Sequence, residues 1–311
     1  MIVLRSARLI ARLDPAHGGE ILDLIDLSSG RQLLGRPPFA SSLPIDGDID
    51  EEGWTARYRG GWQLLTPNAG CVSDVAGEIH PFHGRASNAP WDIVDEDSAT
   101  AALAWSGHGL QVLRRVSLEG PTLLAETEWL ALREGAGFVA VEHIALGLEL
   151  LAPSATIHLP GGVAFELSEL DGPVRAPRRA PPWPDALLLD GLVERADTFS
   201  VSEPSARFLA VQGLAEGWYE LVNDLTGQGL RVEWDVAAMP HLWLWREVRT
   251  TGGVWRKQAE ILALEPASVP HSLGLARALA DGQAIALDEG ARFRTRISAT
   301  PFCRSKDPRR N

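Results

Sequence analysis

From Trp91 to Leu151 the chain divides into short apolar runs, each closed by an acidic or glycine-bearing turn such as D-E-D-S or S-G-H-G. Their alternation has the period of a half-buried strand rather than a helix. Strands are predicted at Trp91–Val94, Ala101–Trp105, Gln111–Leu118, Leu123–Leu132 and Phe138–Leu146. The same pattern gives an N-terminal hairpin from Ile2–Ile10 and Ile21–Leu27. It returns at Phe208–Gly213, Trp218–Leu225, Gly229–Val236, Leu242–Arg249, Ile261–Leu264 and Arg292–Ala299. One helical turn is expected at the start of 276–287. Many short strands with very little helix specify an all-β antiparallel sandwich or barrel and exclude a Rossmann fold.

The interruptions are informative too. Arg36 to Trp62 is rich in Pro, Gly and Asp and reads as long surface loops. Residues 171–186 are dense in proline and basic, and read as a loop crossing the surface of a single domain, 1–311, rather than as a linker. There is no internal repeat, glycine-rich phosphate loop, G-x-S-x-G elbow or zinc-spaced cysteine set.

Composition narrows the partners. With 41 acidic against 29 basic residues the net charge is −12, which disfavours nucleic acid and anionic membranes. Two cysteines, Cys71 and Cys303, in 311 residues suggest a reducing compartment. The arginines in M-I-V-L-R-S-A-R-L-I-A-R break up any signal-peptide core, so a cytoplasmic protein is expected. Tryptophan is over-used, at 11 against 2 tyrosines. Most indoles are expected to pack in the core; others are flat faces suited to the C–H side of a sugar ring.

Three polar groups stand out against apolar surroundings. Glu265, in I-L-A-L-E-P, sits in a run that otherwise reads as a buried strand, and a lone charge there costs several kcal/mol, roughly. The following Pro266 is expected to mark the strand's end. His143 interrupts the strand F-V-A-V-E-H-I-A-L-G and shares a face with Val139, Val141 and Ala145. His83 lies between Pro81 and Gly84, where a constrained backbone aims a side chain; His80 competes for that role. A carboxylate with histidines suits proton transfer on one small ligand. Each also has a structural reading, as an ion pair with an arginine or a histidine satisfied by backbone. Arg59, in R-Y-R-G-G-W, has the planar donors to orient a hydroxyl or ring oxygen. A mixed metal site from His80, His83, His143 and Glu265 is a minor reading, since no two-histidine signature accompanies it, and no metal is expected.

These segments resemble the aldose 1-epimerase (galactose mutarotase-like) superfamily. The resemblance runs from A-H-G-G-E-I-L-D-L through R-G-G-W-Q-L-L-T-P-N-A-G, H-G-R-A-S-N-A-P-W and E-H-I-A-L-G to M-P-H-L-W-L-W and A-L-E-P-A-S. It implies a large antiparallel β-sandwich with an open sugar cleft and no cofactor. In that reading Glu265 is the base that takes the anomeric hydroxyl proton and His143 is the acid that protonates the ring oxygen. His83 holds the ring-oxygen side, Arg59 clamps the substrate with Arg85 as rival, and Trp243 contacts the sugar. Asp197 or Asp235 would grip distal hydroxyls. His143 is followed by Ile144-Ala145-Leu146 rather than by aromatic residues, and Glu265 by Pro266 rather than a polar residue, so galactose specificity is not implied. The alternatives are a carbohydrate-binding or regulatory protein without turnover and a sugar-phosphate epimerase.

Overall fold

The computed structural model describes residues 1–37, 50–167, 174–251, 255 and 257–304. Among these, two large sheets of 12 and 9 strands face one another, with two small two-stranded ribbons beside them. The pairing is antiparallel except where Val163–Glu166 meets Asp185–Leu187. This is an all-β sandwich. Helix is confined to α1 (Glu51–Arg57), α2 (Leu148–Leu151), α3 (Leu275–Ala280) and a 3₁₀ turn at Ala86–Asn88.

Most predicted strands are present, several of them extended, but Phe138–Leu146 is divided between Ala136–Phe138 and Val141–Ile144, and Ile2–Ile10 is broken after Arg5. The N-terminal pattern is a three-stranded meander, Ile2–Arg5, Leu9–Asp14 and Glu20–Asp26, at one edge of the larger sheet. Arg292–Cys303 is the longest strand and sits inside the nine-stranded sheet between Thr122–Ala131 and Gln228–Trp234. The end of the proline-dense segment enters the larger sheet, where Asp185–Leu187 pairs parallel with Val163–Glu166. Residues 171–173 of that segment lie outside the described residues. No disulfide joins Cys71 and Cys303.

Two features depart from the sequence reading. The expected loop from Arg36 to Trp62 contains α1; residues 38–49 of it are outside the described residues. α1 is short, but Asp50 caps it by accepting the Gly53 N–H at 2.8 Å, and Glu51 and Glu52 in the first turn oppose Arg57 in the last. Trp62–Leu65, buried on both faces, is a strand between the N-terminal meander and Val141–Ile144. The sequence hid it because a fully buried strand shows no alternation.

Between the sheets lies an apolar core with contributions from both, among them Trp62, Ile144, Leu244 and Leu264 on one side and Val112, Trp129, Leu221 and Ile297 on the other. One ion pair crosses it. Arg114, from the nine-stranded sheet, gives both guanidinium ends to Glu142 of the larger sheet at 2.6 and 2.8 Å. Trp62 Nε1 donates to the same carboxylate at 2.5 Å, and Arg114 also donates to Thr127. Both carboxylate oxygens are thereby engaged in charge-assisted bonds. Removing one partner strands a charge out of water, so Glu142→Gln or Arg114→Met should destabilise by about 3–5 kcal/mol, whereas Arg114→Met with Glu142→Leu should recover most of that loss. Urea unfolding midpoints of the three variants check this.

Candidate active site

Antiparallel register brings the acid–base candidates together. Val141 pairs with Ala267 and Ala145 bridges Ala263, which sets His143 directly opposite Glu265. His143 is likewise opposite Gln63, and Glu265 opposite Trp243. Directly opposed residues share a face, so Gln63, His143, Glu265 and Trp243 form one lateral row across four strands. Glu142, one residue along, points into the core to Arg114, so the row lies on the opposite, outer face of the sheet.

In that row His143 Nδ1 is 2.9 Å from Glu265 Oε2, close enough for an ion pair though off the line of the ring N–H. Each is only 2% exposed. The other ring nitrogen, Nε2, is 2.7 Å from the Tyr58 hydroxyl. Burial, reinforced by the Glu265 charge, pushes the Tyr58 phenol well above its ordinary pKa, so it keeps its proton. Glu265 is interior to the strand Glu260–Ala267, with Pro266 paired to Leu242, and not at a strand end as the proline suggested.

His83 completes the cluster, its ring centroid 6.3 Å from that of His143. Its backbone is left-handed, φ 61°, inside a turn closed by Gly84 N–H to Pro81 O. Two reciprocal bonds hold it: His83 N–H donates to Gly70 O, and Gly70 N–H donates to His83 Nδ1 at 2.9 Å. An Nδ1 that accepts leaves the proton on Nε2. Burial, and then the neighbouring His143, press the His83 pKa well below its ordinary value, so the ring is neutral. Glycine is required next to it, because a Cβ on Gly84 (φ 81°) would lie 2.4 Å from Thr66 O.

His80 turns away from this cluster and stacks on His108 with centroids 4.2 Å apart. The four-residue metal set considered from sequence is therefore split. Arg59 is not a free clamp: it binds Asp14 at 2.8 Å and Glu20, and Glu20 accepts from Gln63. Arg59 thus supports the row at one remove, through Gln63. The Arg85 charge falls on His80 and His108. Trp243 is in the row, but it is 1% exposed and its Nε1 is committed to Val269 O, so it offers no open face. Asp197 is paired with Arg195, and Asp235 belongs to a groove on the nine-stranded sheet with Arg115, Arg294 and Arg296. Neither aspartate is placed at the dyad.

The residues that sequence reasoning missed are the aromatic covers. Trp54 of α1 lies edge-on to His83 and His143 at 4.4 and 5.9 Å, and Trp245 is 5.8 Å from His143. With Tyr58, Phe82 and Trp255 they make a separate apolar cluster over the dyad. The only signal available was aromatic spacing, since Trp54 and Tyr58 are four apart, one helical turn, in E-E-G-W-T-A-R-Y.

No protein-family sequence model matches the chain, and no curated protein sequence matches it. Solved structures do. A galactose mutarotase related enzyme from Lactobacillus acidophilus aligns with a TM-score of 0.69 at 12% identity, over 98% of each chain. An Escherichia coli K12 protein provisionally assigned as an aldose 1-epimerase gives 0.68 at 15%, over 97% of this chain and 98% of its own. A galactose mutarotase-like protein from Clostridium acetobutylicum gives 0.65 at 13%, over 97% and 95%. The fold is the galactose mutarotase-like β-sandwich.

Two further histidines lie near the row, His271 fully buried and His241 half-buried. His241 pairs with Ala267 on the strand that carries Trp243, and it is electrostatically coupled to His271. Burial lowers both to a pKa of about 4. Unfolded histidine titrates near 6.5, so between about 6.5 and 4 the unfolded chain binds more protons and stability falls as pH falls. Denaturant titrations at pH 7 and 5 should differ by on the order of 2 kcal/mol for each of these histidines, and His241→Gln should remove about half of the pair's dependence.

Proposed function

We propose that this protein is an aldose 1-epimerase, interconverting the α and β anomers of a free monosaccharide by ring opening. The observation that carries the reading is the register-enforced contact of His143 with Glu265, beside a neutral His83, on the outer face of a mutarotase-like sheet. A hemiacetal opens when its anomeric hydroxyl loses a proton and its ring oxygen gains one. Glu265 takes the O1 proton, the C1–O5 bond breaks, and O5 takes the proton from His143 Nε2. Rotation about C1–C2 and the reverse transfers close the ring as the other anomer. Glu265 gains a proton from O1 as His143 gives one to O5, so the pair's net charge is unchanged through the step. Mutarotation is slow but spontaneous in water, and one acid and one base, each contributing roughly 10²–10⁴-fold, suffice.

The Tyr58 hydroxyl stands where the ring oxygen must come, against Nε2. A sugar therefore enters by displacing Tyr58, and Trp54, Trp245 and Trp255 then supply apolar walls for its C–H face. The burial of the dyad favours a second reading, a sugar-binding protein without turnover. Against it, the partner of Glu265 is a histidine and, among the described residues, no arginine reaches it within ion-pair distance. A phosphorylated sugar would need a free cation, and Arg59 is engaged by two carboxylates.

Polarimetry on freshly dissolved glucose, galactose, xylose, arabinose and fucose tests the proposal. Acceleration is expected with at least one sugar, falling about 10²–10⁴-fold in Glu265→Gln and in His143→Gln. A folded wild-type protein that binds a sugar without accelerating its mutarotation would instead support the binding role. Tyr58→Phe removes the competitor for Nε2 and should lower KM several-fold; an unchanged KM would show that Tyr58 does not guard the site.

A further inference from the structure

We propose that Glu78, His80 and His108 form a binding site for a divalent transition ion of the zinc class, separate from the His143–Glu265 dyad. One ligand atom from each residue lies within 4.8 Å of the other two. Glu78 and His80 come from the strand Glu78–His80 of a two-stranded ribbon, while His108 is at the tip of the hairpin joining Thr100–Gly107 to Leu110–Glu119.

Several independent observations mark this as more than a surface cluster. His80 is 2% exposed, and its Nδ1 is buried without a hydrogen-bond partner. A buried ring nitrogen left unsatisfied requires an explanation. His108 Nδ1 is also buried without an aligned partner, although Glu78 Oε1 lies 2.9 Å away. His108 takes a left-handed conformation, φ 54°, in a two-residue turn completed by Gly109 at φ 75°. Such turns favour Asn or Asp before Gly, so histidine is an unusual choice there. It is held in place by Trp105 on one side and His80 on the other.

The donor set suits the ion. Two imidazoles and a carboxylate are a zinc-type set that leaves a fourth position for water. Arg133 holds the other carboxylate oxygen, Glu78 Oε2, at 3.0 Å, the kind of outer contact that orients a ligand. Its charge and that of Arg85 oppose a cation, but the Arg133 side chain is 57% exposed and screened by water. An ion would draw the donors in to about 2.0–2.2 Å. It would thereby pin the segment leading to His83, three residues beyond His80, onto the nine-stranded sheet. The site stands whether or not the dyad is an epimerase centre.

The test uses the full chain stripped with a chelator and titrated with Co²⁺, followed by visible d–d absorption, then with Zn²⁺ in competition. One saturable equivalent is expected, with Zn²⁺ displacing Co²⁺ and raising the Tm. His108→Asn keeps a residue that tolerates the left-handed turn, and should weaken binding by at least about tenfold. Glu78→Gln, on the more exposed donor, serves as a second variant if the first does not fold, and His158→Gln is the control that should bind like wild type. Failure of the wild type to take a stoichiometric ion, or unchanged affinity in folded His108→Asn and Glu78→Gln, overturns the proposal.

Discussion

Arg114 and Glu142 are both withdrawn from water, and the arrangement of the larger sheet depends on their meeting. Two ions in an apolar core are tolerated only when every charged edge has a partner, and here Trp62 and Thr127 complete the set. The geometry leaves no freedom in the strand Val141–Ile144. Glu142 must face inward to reach Arg114, so His143 must face outward. A slip of one residue would put His143 in the core and Glu142 outside it, losing both functions together. The buried ion pair thus acts as a register device for the strand on which the proposed chemistry rests.

With register fixed, the lateral row follows without further specification. Gln63, His143 and Glu265 come from strands that are distant in sequence but adjacent in the sheet, and Trp243 from the strand just before that of Glu265. The row continues into a polar chain through Glu20 to Arg59 and Asp14. The charges along this chain alternate, so each carboxylate has a cation or an amide and none is left to disturb the dyad. The aromatic cover excludes water from His143 and Glu265, which strengthens every interaction between them. Under the proposed function it also sets the condition for entry, since a sugar would have to offer Nε2 a better oxygen than Tyr58 does.

Much of this was readable from residues alone. Alternation gave the all-β class, and the conflict between Glu265 and its apolar run pointed to a paired carboxylate, as did His143 in its own strand. Those signals are local: a polar group in an apolar pattern violates the pattern wherever it occurs. What could not be read was partnership. Arg59 looked like a ligand clamp because arginine chemistry is the same whether its acceptor is a sugar or Asp14. Trp243 looked like a platform because burial of an indole depends on strands elsewhere. α1 was hidden by its length of seven residues and by Gly53 inside it, so that no full helical period accumulated.

The eight histidines show how the fold, rather than residue type, assigns a role. His83 has Nδ1 committed to a backbone N–H, which fixes one tautomer, and burial holds the ring neutral. His80, His241 and His271 each retain a buried nitrogen without a partner, His108 faces Glu78, and burial lowers the pKa of all four. His17 faces Asp14 on one nitrogen and nothing on the other, and His158 faces the Arg304 guanidinium. Among the described residues His143 alone has a carboxylate at one ring nitrogen and a hydroxyl at the other. A proton on such a ring can be stabilised from one side and exchanged with an oxygen on the other. That is the electrostatic requirement for a group that must give a proton to a ring oxygen and take it back.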